Sequence, residues 1–181
     1  MLSNKMMDSF NNHLKEEFSS AYIYLSMSAH SSFIGLKGFA KWFMAQYHEE
    51  MAHAMMFYEY IGRQGGKVRL LTVEEPSSEY ASPIDMFEKT LEHEKFMTKN
   101  VNDLMELAIQ EKDHATQIFL QWFVSEQVEE EETVNDILAK LKLIGSDTNG
   151  LFMMDTELGT RTVTMPTDFT QGVEAAIKAG G

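Results

Sequence analysis

Four long stretches of the chain repeat apolar residues in alternating steps of three and four. Each repeat is broken near its middle by an acid. The first reads Met7, Phe10, Leu14, Glu17, Ala21, Tyr24, Ser28; the second Phe39, Phe43, Gln46, Glu50, His53, Phe57, Tyr60. The third reads Ile84, Phe87, Leu91, Glu94, Thr98, Val101, Met105, Ala108; the fourth Leu120, Phe123, Gln127, Glu130, Val134, Ile137, Leu141, Ile144. Such spacing places every named residue on the inward stripe of a helix. The chain must therefore bury four acidic seams together or not fold as an all-α bundle at all.

Boundary signals fit four helices plus a short fifth. The first is expected from Ser3 or Asn4 to Ser31, and Gly35 and Gly38 mark a short connection. The second is expected from Leu36 to Ile61, antiparallel to the first because the connection is short. Ser82, Pro83 and Asp85 open the third helix as N-cap, first position and capping-box partner. Asp113 is the candidate cap of the fourth, which ends at Gly145. A fifth helix is expected from Asp147 or Asn149 to Leu158, closed by Gly159.

Between Gly65 and Ser82 the helical pattern stops. About 14 extended residues reach about 45 Å, and a helix of about 28 residues is about 42 Å long. This link can run the length of a bundle and start the third helix parallel to the second. Residues 1–159 are thus expected to form the bundle and fifth helix. Residues 160–181 form a tail, with Val173 to Lys178 a candidate short helix.

Composition narrows the function. The 181 residues carry a net charge of −13, which argues against nucleic acid, whose phosphates require Lys and Arg. Cysteine is absent, excluding disulfides, thiolate-bound zinc and iron–sulfur ligation. No apolar run reaches membrane-spanning length and no signal-peptide core opens the chain, so a cytoplasmic protein is expected.

The seam acids carry the chemistry. Glu50 and His53 lie one helical turn apart on one face, where both can reach one ion. Glu17 with Tyr24, Glu94, and Gln127 with Glu130 sit mid-seam on the other three helices. Several carboxylates at one height in low dielectric repel and raise one another's pKa unless a cation neutralises them. Carboxylates with one imidazole and no thiolate suit iron, manganese or zinc.

This set, Glu17, Tyr24, Glu50-x-x-His53, Glu94 and Gln127-x-x-Glu130, resembles the ferroxidase centre of bacterial non-haem ferritins. The resemblance spans about residues 1–160 and includes the Gln-Trp-Phe-Val-Ser-Glu-Gln run at 121–127. It implies a ferritin-like fold with one long crossover. It also implies that Glu17, Glu50 and His53 hold one iron and that Glu50 bridges to a second held by Glu94 and Glu130. Gln127 would sit beside that second iron, and Tyr24 would hydrogen-bond the centre and could give up an electron. A third iron site would map onto Glu49, Glu126, Glu129 and Glu130. The implied activity is ferroxidase: two Fe(II) are oxidised by dioxygen or hydrogen peroxide, and Fe(III) is deposited inside a 24-subunit homo-oligomeric cage. The fifth helix would lie near the four-fold axes.

Other readings are weaker. Met51 stands where bacterioferritins carry a haem-ligating Met, but Gln127-x-x-Glu130 departs from their second Glu-x-x-His, which argues against haem. A rubrerythrin-type peroxide reductase lacks its cysteines here, and a metal-buffering cage without catalysis is the remaining alternative. His13, His30, His48, His93 and His114 miss the seams and read as surface histidines. Glu131 and Glu132 read as solvent-facing, Trp42 and Trp122 as packing residues.

Overall fold

The computed structural model describes residues 1–162; the candidate helix at Val173 to Lys178 lies outside them. The described residues form five helices: α1 (Asn4–Phe33), α2 (Lys37–Arg63), α3 (Pro83–Gln110), α4 (His114–Ile144) and α5 (Thr148–Leu158). The fold is all-α, as the periodicity requires, and every boundary falls within a few residues of its expected place.

Caps explain the starts. Ser3 accepts from the Met6 amide, Ser82 from Asp85, Asp113 from Thr116, and Asp147 from Asn149 and Gly150. Each satisfies an amide left unpaired by the first helical turn. Helix α2 differs: Leu36 offers no side-chain cap. Its first amides are capped from α5 instead, where Asp155 Oδ1 accepts from Gly38 N at 2.7 Å and Phe39 N at 3.1 Å. The approach is close enough that a Cβ on Gly38 would lie 1.6 Å from the Asp155 carbonyl oxygen. Only glycine fits there.

Helix α1 packs along α2, α3 along α4, and α1 also meets α3; α5 lies on α2 and α4. The segment from Gln64 to Ser82 has no regular structure. It runs along α1: Asn11 Nδ2 donates to Lys67 O (3.2 Å), Arg69 N donates to Asn11 Oδ1 (2.6 Å), and Ser26 Oγ donates to Ser77 O (2.6 Å). Contacts thus advance up α1 as the link advances. The link returns the chain to the starting end of α2, so α3 runs parallel to α2 and antiparallel to α1.

The core is divided. One apolar cluster holds Phe10, Leu14, Phe57, Leu104 and Phe123. The other holds Tyr24, Phe43, Phe87, Val134 and Leu138. On each of the four long helices the seam acid falls between the members of the two clusters: Glu17 after Leu14 and before Tyr24, Glu50 after Phe43 and before Phe57. Burying each phenylalanine contributes roughly 1.5–3 kcal/mol. The two apolar ends therefore carry the stability, and a charged layer is held between them.

Candidate metal centre

All seven polar seam residues singled out from the sequence are buried. Glu17, Tyr24, Glu50 and Glu94 are each no more than 3% exposed, and His53, Gln127 and Glu130 no more than 8%. Donor atoms of Glu17, Glu50 and His53 all lie within 4.8 Å of one another, and among the described residues this is the one group so arranged. His53 Nδ1 stands 3.4 Å from Glu50 Oε2 and 4.0 Å from Glu17 Oε2. Glu17 Oε2 is buried with no hydrogen-bond partner. An orphaned carboxylate oxygen facing an imidazole nitrogen and a second carboxylate is a fit for a cation, which would supply the partner that this oxygen lacks.

Glu94 and Glu130 face this cluster from α3 and α4 but stay outside the three-residue group. Glu94 accepts from the Tyr24 hydroxyl and from Gln127 Nε2 at 3.2 Å. Gln127 also donates to the Glu94 carbonyl and to Thr98. Glu130 accepts from Gln46 Nε2 at 3.0 Å. Gln46, a seam residue on α2, is thus a partner of the site.

The electrostatics follow from crowding acids in a dry layer. Burial pushes the Glu50 carboxyl well above its ordinary range, with the charges of Glu94 and Glu17 adding to it against His53. Burial and the Glu130 charge push Glu94 up to about 8, against hydrogen bonds from Tyr24 and Gln127. Glu130 is raised by burial and then by Glu49, against the pull of His53. Burial lifts the Tyr24 phenol well above its usual value, as do the charges of Glu94 and Glu50. His53 shows the converse. Burial lowers it, but its hydrogen bond to Glu50 and the charges of Glu50, Glu17 and Glu130 outweigh burial and raise it to about 10. Burial also raises Glu17, yet His13 and His53 together leave it lowered.

His13 is not the surface histidine expected from its place off the seam. It is 3% exposed, its ring lies 4.4 Å from that of Phe57, and its Nε2 is 2.8 Å from Glu17 Oε1. The contact is one of charge and proximity, and neither ring nitrogen completes a hydrogen bond. Its sequence signal was the four-residue spacing to Glu17, one turn along the same face. His93 is likewise half-buried, with Nε2 2.7 Å from Ser20 Oγ. Glu131 is half-buried rather than solvent-facing and accepts from Thr98 Oγ1 at 2.6 Å. Trp122 packs edge-on to His53, with ring centres 5.3 Å apart.

The three outer acids differ from the inner set. Glu49 and Glu126 are half-buried and Glu129 is exposed. Burial raises Glu126, and the charges of Glu129 and Glu49 add to it against His53. Glu49 is already engaged, by Arg161 of the expected tail, at 2.5 Å.

A long-crossover bundle with carboxylates and an imidazole in its core defines a class of helical proteins built around a buried metal-binding layer. Residues 7–144 match the ferritin-like domain, and the chain belongs to the ferritin family. It is 39% identical to the bacterial non-heme ferritin of Bacteroides fragilis over 161 residues, covering 89% of this chain and 100% of that one. It is 40% identical to that of Campylobacter jejuni over 155 residues, covering 86% and 93%. The solved open-pore ferritin of Archaeoglobus fulgidus is 48% identical, with a TM-score of 0.89 over 90% of this chain and 100% of its own.

Proposed function

We propose that this chain is the subunit of an iron-storage cage and oxidises Fe(II) at the buried layer. The observation that carries the reading is the Glu17–Glu50–His53 cluster with its unpartnered Glu17 oxygen, faced by Glu94 and Glu130. The names of the bacterial relatives support iron as the metal.

Iron is substrate here. Glu17 and His53 would bind one Fe(II), Glu94 and Glu130 a second, and Glu50, which feels the charges of both Glu17 and Glu94, would bridge them. Two Fe(II) give one electron each; dioxygen takes both with two protons and leaves as hydrogen peroxide. The chain holds the two ions side by side in a water-poor layer, which lets a two-electron acceptor meet both donors at once. Glu49, Glu126 and Glu129 form an outer acidic path for further iron. Gln127 and Tyr24 orient Glu94 through the hydrogen bonds they donate to it.

Assembly is part of the reading. Leu143, Phe152 and Met153 are 88%, 72% and 70% exposed and line one apolar groove where α5 leaves α4. Large apolar side chains left together in water mark a surface meant to be covered, and in a cage neighbouring copies cover it.

The test mixes metal-free protein with Fe(II) in air and follows ferric absorbance. Wild type should oxidise iron far faster than a Glu50→Ala, His53→Ala double variant. Equal rates would remove the catalytic reading. Sedimentation separates storage from a simple binding module: a large hollow particle is expected, and a monomer or dimer is incompatible with storage.

A further inference from the structure

We propose that Arg161 is a cation tethered to the chain that occupies the outer acidic position on Glu49 and competes there with metal. The proposal deepens the function above and rests on that reading of the outer acids.

The placement of Arg161 is built into the fold. Helix α5 ends at Leu158 against the start of α2, where Lys41 Nζ donates to Gly159 O at 2.8 Å. Two residues later Arg161 lands on α2 itself. Its guanidinium carbon lies 4.7 Å from the Trp42 ring centre, and Nη2 lies 2.5 Å from Glu49 Oε2. Trp42 and Glu49 are seven residues apart, two turns along one face of α2. An aromatic face and a carboxylate so placed form a seat for a planar cation.

The charge acts beyond Glu49. Glu126 and Glu130 both feel the guanidinium, alongside His53 and Glu129. A divalent ion bound to Glu49 would compete with Nη2 for Oε2 or, on the other oxygen, stand within a few ångströms of the guanidinium charge. Either way the two cations weaken each other's hold on Glu49.

The contact is also incomplete. Arginine grips a carboxylate best with two parallel N–H groups, but here one nitrogen meets Glu49 and Nη1 is buried with no partner. A buried donor left unpaired weakens the pairing. Arg161 is thus held well enough to compete with metal but not so well as to bar it.

The test counts metal on the full chain with Zn²⁺, which needs no oxidation. Zn²⁺ titrations by calorimetry are run on wild type, Arg161→Gln, Arg161→Lys, and Arg161→Gln with Glu49→Gln. Wild type should bind two equivalents per chain tightly and a third weakly. Arg161→Gln should bind the third about tenfold tighter or more. Arg161→Lys, which keeps the charge, should stay close to wild type, and adding Glu49→Gln should abolish the gain. Trp42 emission should change as the third equivalent enters wild type and not in Arg161→Gln.

A third equivalent of equal affinity in wild type and Arg161→Gln overturns the proposal. So does a gain that survives Glu49→Gln, or Arg161→Lys binding like Arg161→Gln. Failure of wild type to bind the first two equivalents overturns the proposed function instead. Sedimentation of each variant confirms that it assembles as wild type does.

Discussion

His13 Nε2 and Glu17 Oε1 lie 2.8 Å apart on successive turns of α1, while the other oxygen of Glu17 turns toward His53. The imidazole lies against one carboxylate oxygen, and the other has no hydrogen-bond partner. Groups that orient a ligand in this way typically change metal affinity 10–100-fold when removed. His13→Ala should weaken Zn²⁺ binding at the inner cluster by about that factor, read by calorimetry, while His13→Gln, which keeps a donor, recovers part of it. Unchanged affinity in His13→Ala would reduce the contact to packing against Phe57.

Tyr24 addresses the other pair of ligands. Its hydroxyl donates to Glu94, which lies outside the Glu17–Glu50–His53 group. Tyr24→Phe should leave the first metal equivalent unchanged and weaken the second. The hydrogen bond goes to an ionisable acid, so the loss should be about 1.5–3 kcal/mol, read as separate steps in a metal titration. Equal weakening of both steps would contradict the assignment.

Stability should respond to pH in a definite direction. Glu94 is raised from 4.5 to about 8, so the folded chain holds that proton more tightly than the unfolded one. Its contribution is full below about 4.5 and is lost as pH rises through about 8. His53 is raised from 6.5 to about 10. Its contribution is full below about 6.5 and is lost as pH rises through about 10. Glu50 and Glu130, also raised, act in the same direction. Glu17 is lowered and acts the other way, its contribution fading only in acid as pH falls below 4.5. Above pH 7, beyond the range where His93, lowered from 6.5 by burial, adds stability as pH rises, the metal-free protein should therefore melt at falling temperature up to pH 9. Metal needs deprotonated ligands, so Zn²⁺ should raise Tm more at pH 9 than at pH 5.5. A Zn²⁺ increment independent of pH would show that these groups do not bind the ion.

Asn11 gives a prediction independent of metal. It is 1% exposed and ties the crossover to α1 through Lys67 O and Arg69 N. Asn11→Ala removes both bonds and should lower unfolding free energy by about 1–2 kcal/mol, measured by denaturant titration with unchanged metal stoichiometry. A loss below about 0.3 kcal/mol would mean that the crossover is held elsewhere.

Much of the centre was legible because periodicity reports which way a side chain points. Glu17, Glu50, Glu94 and Glu130 each interrupt an apolar stripe, and each is buried between the two apolar clusters. The crossover was legible from length alone. What lay off the stripe was not. His13 sits one turn from Glu17 but on no seam, and only its pairing with that acid brings it inside. Arg161 and Glu49 are 112 residues apart, and no local pattern links them. The cap on α2 escaped for the same reason, since Asp155 arrives from a different helix and Leu36 gives no sign of it.

That borrowed cap bears on the order of synthesis. A ribosome delivers α2 long before residue 155, so the amides of Gly38 and Phe39 must wait on water until nearly the whole chain has emerged. The start of α2 should therefore be the last of the long helices' ends to settle. A nascent chain halted before α5 should fray there.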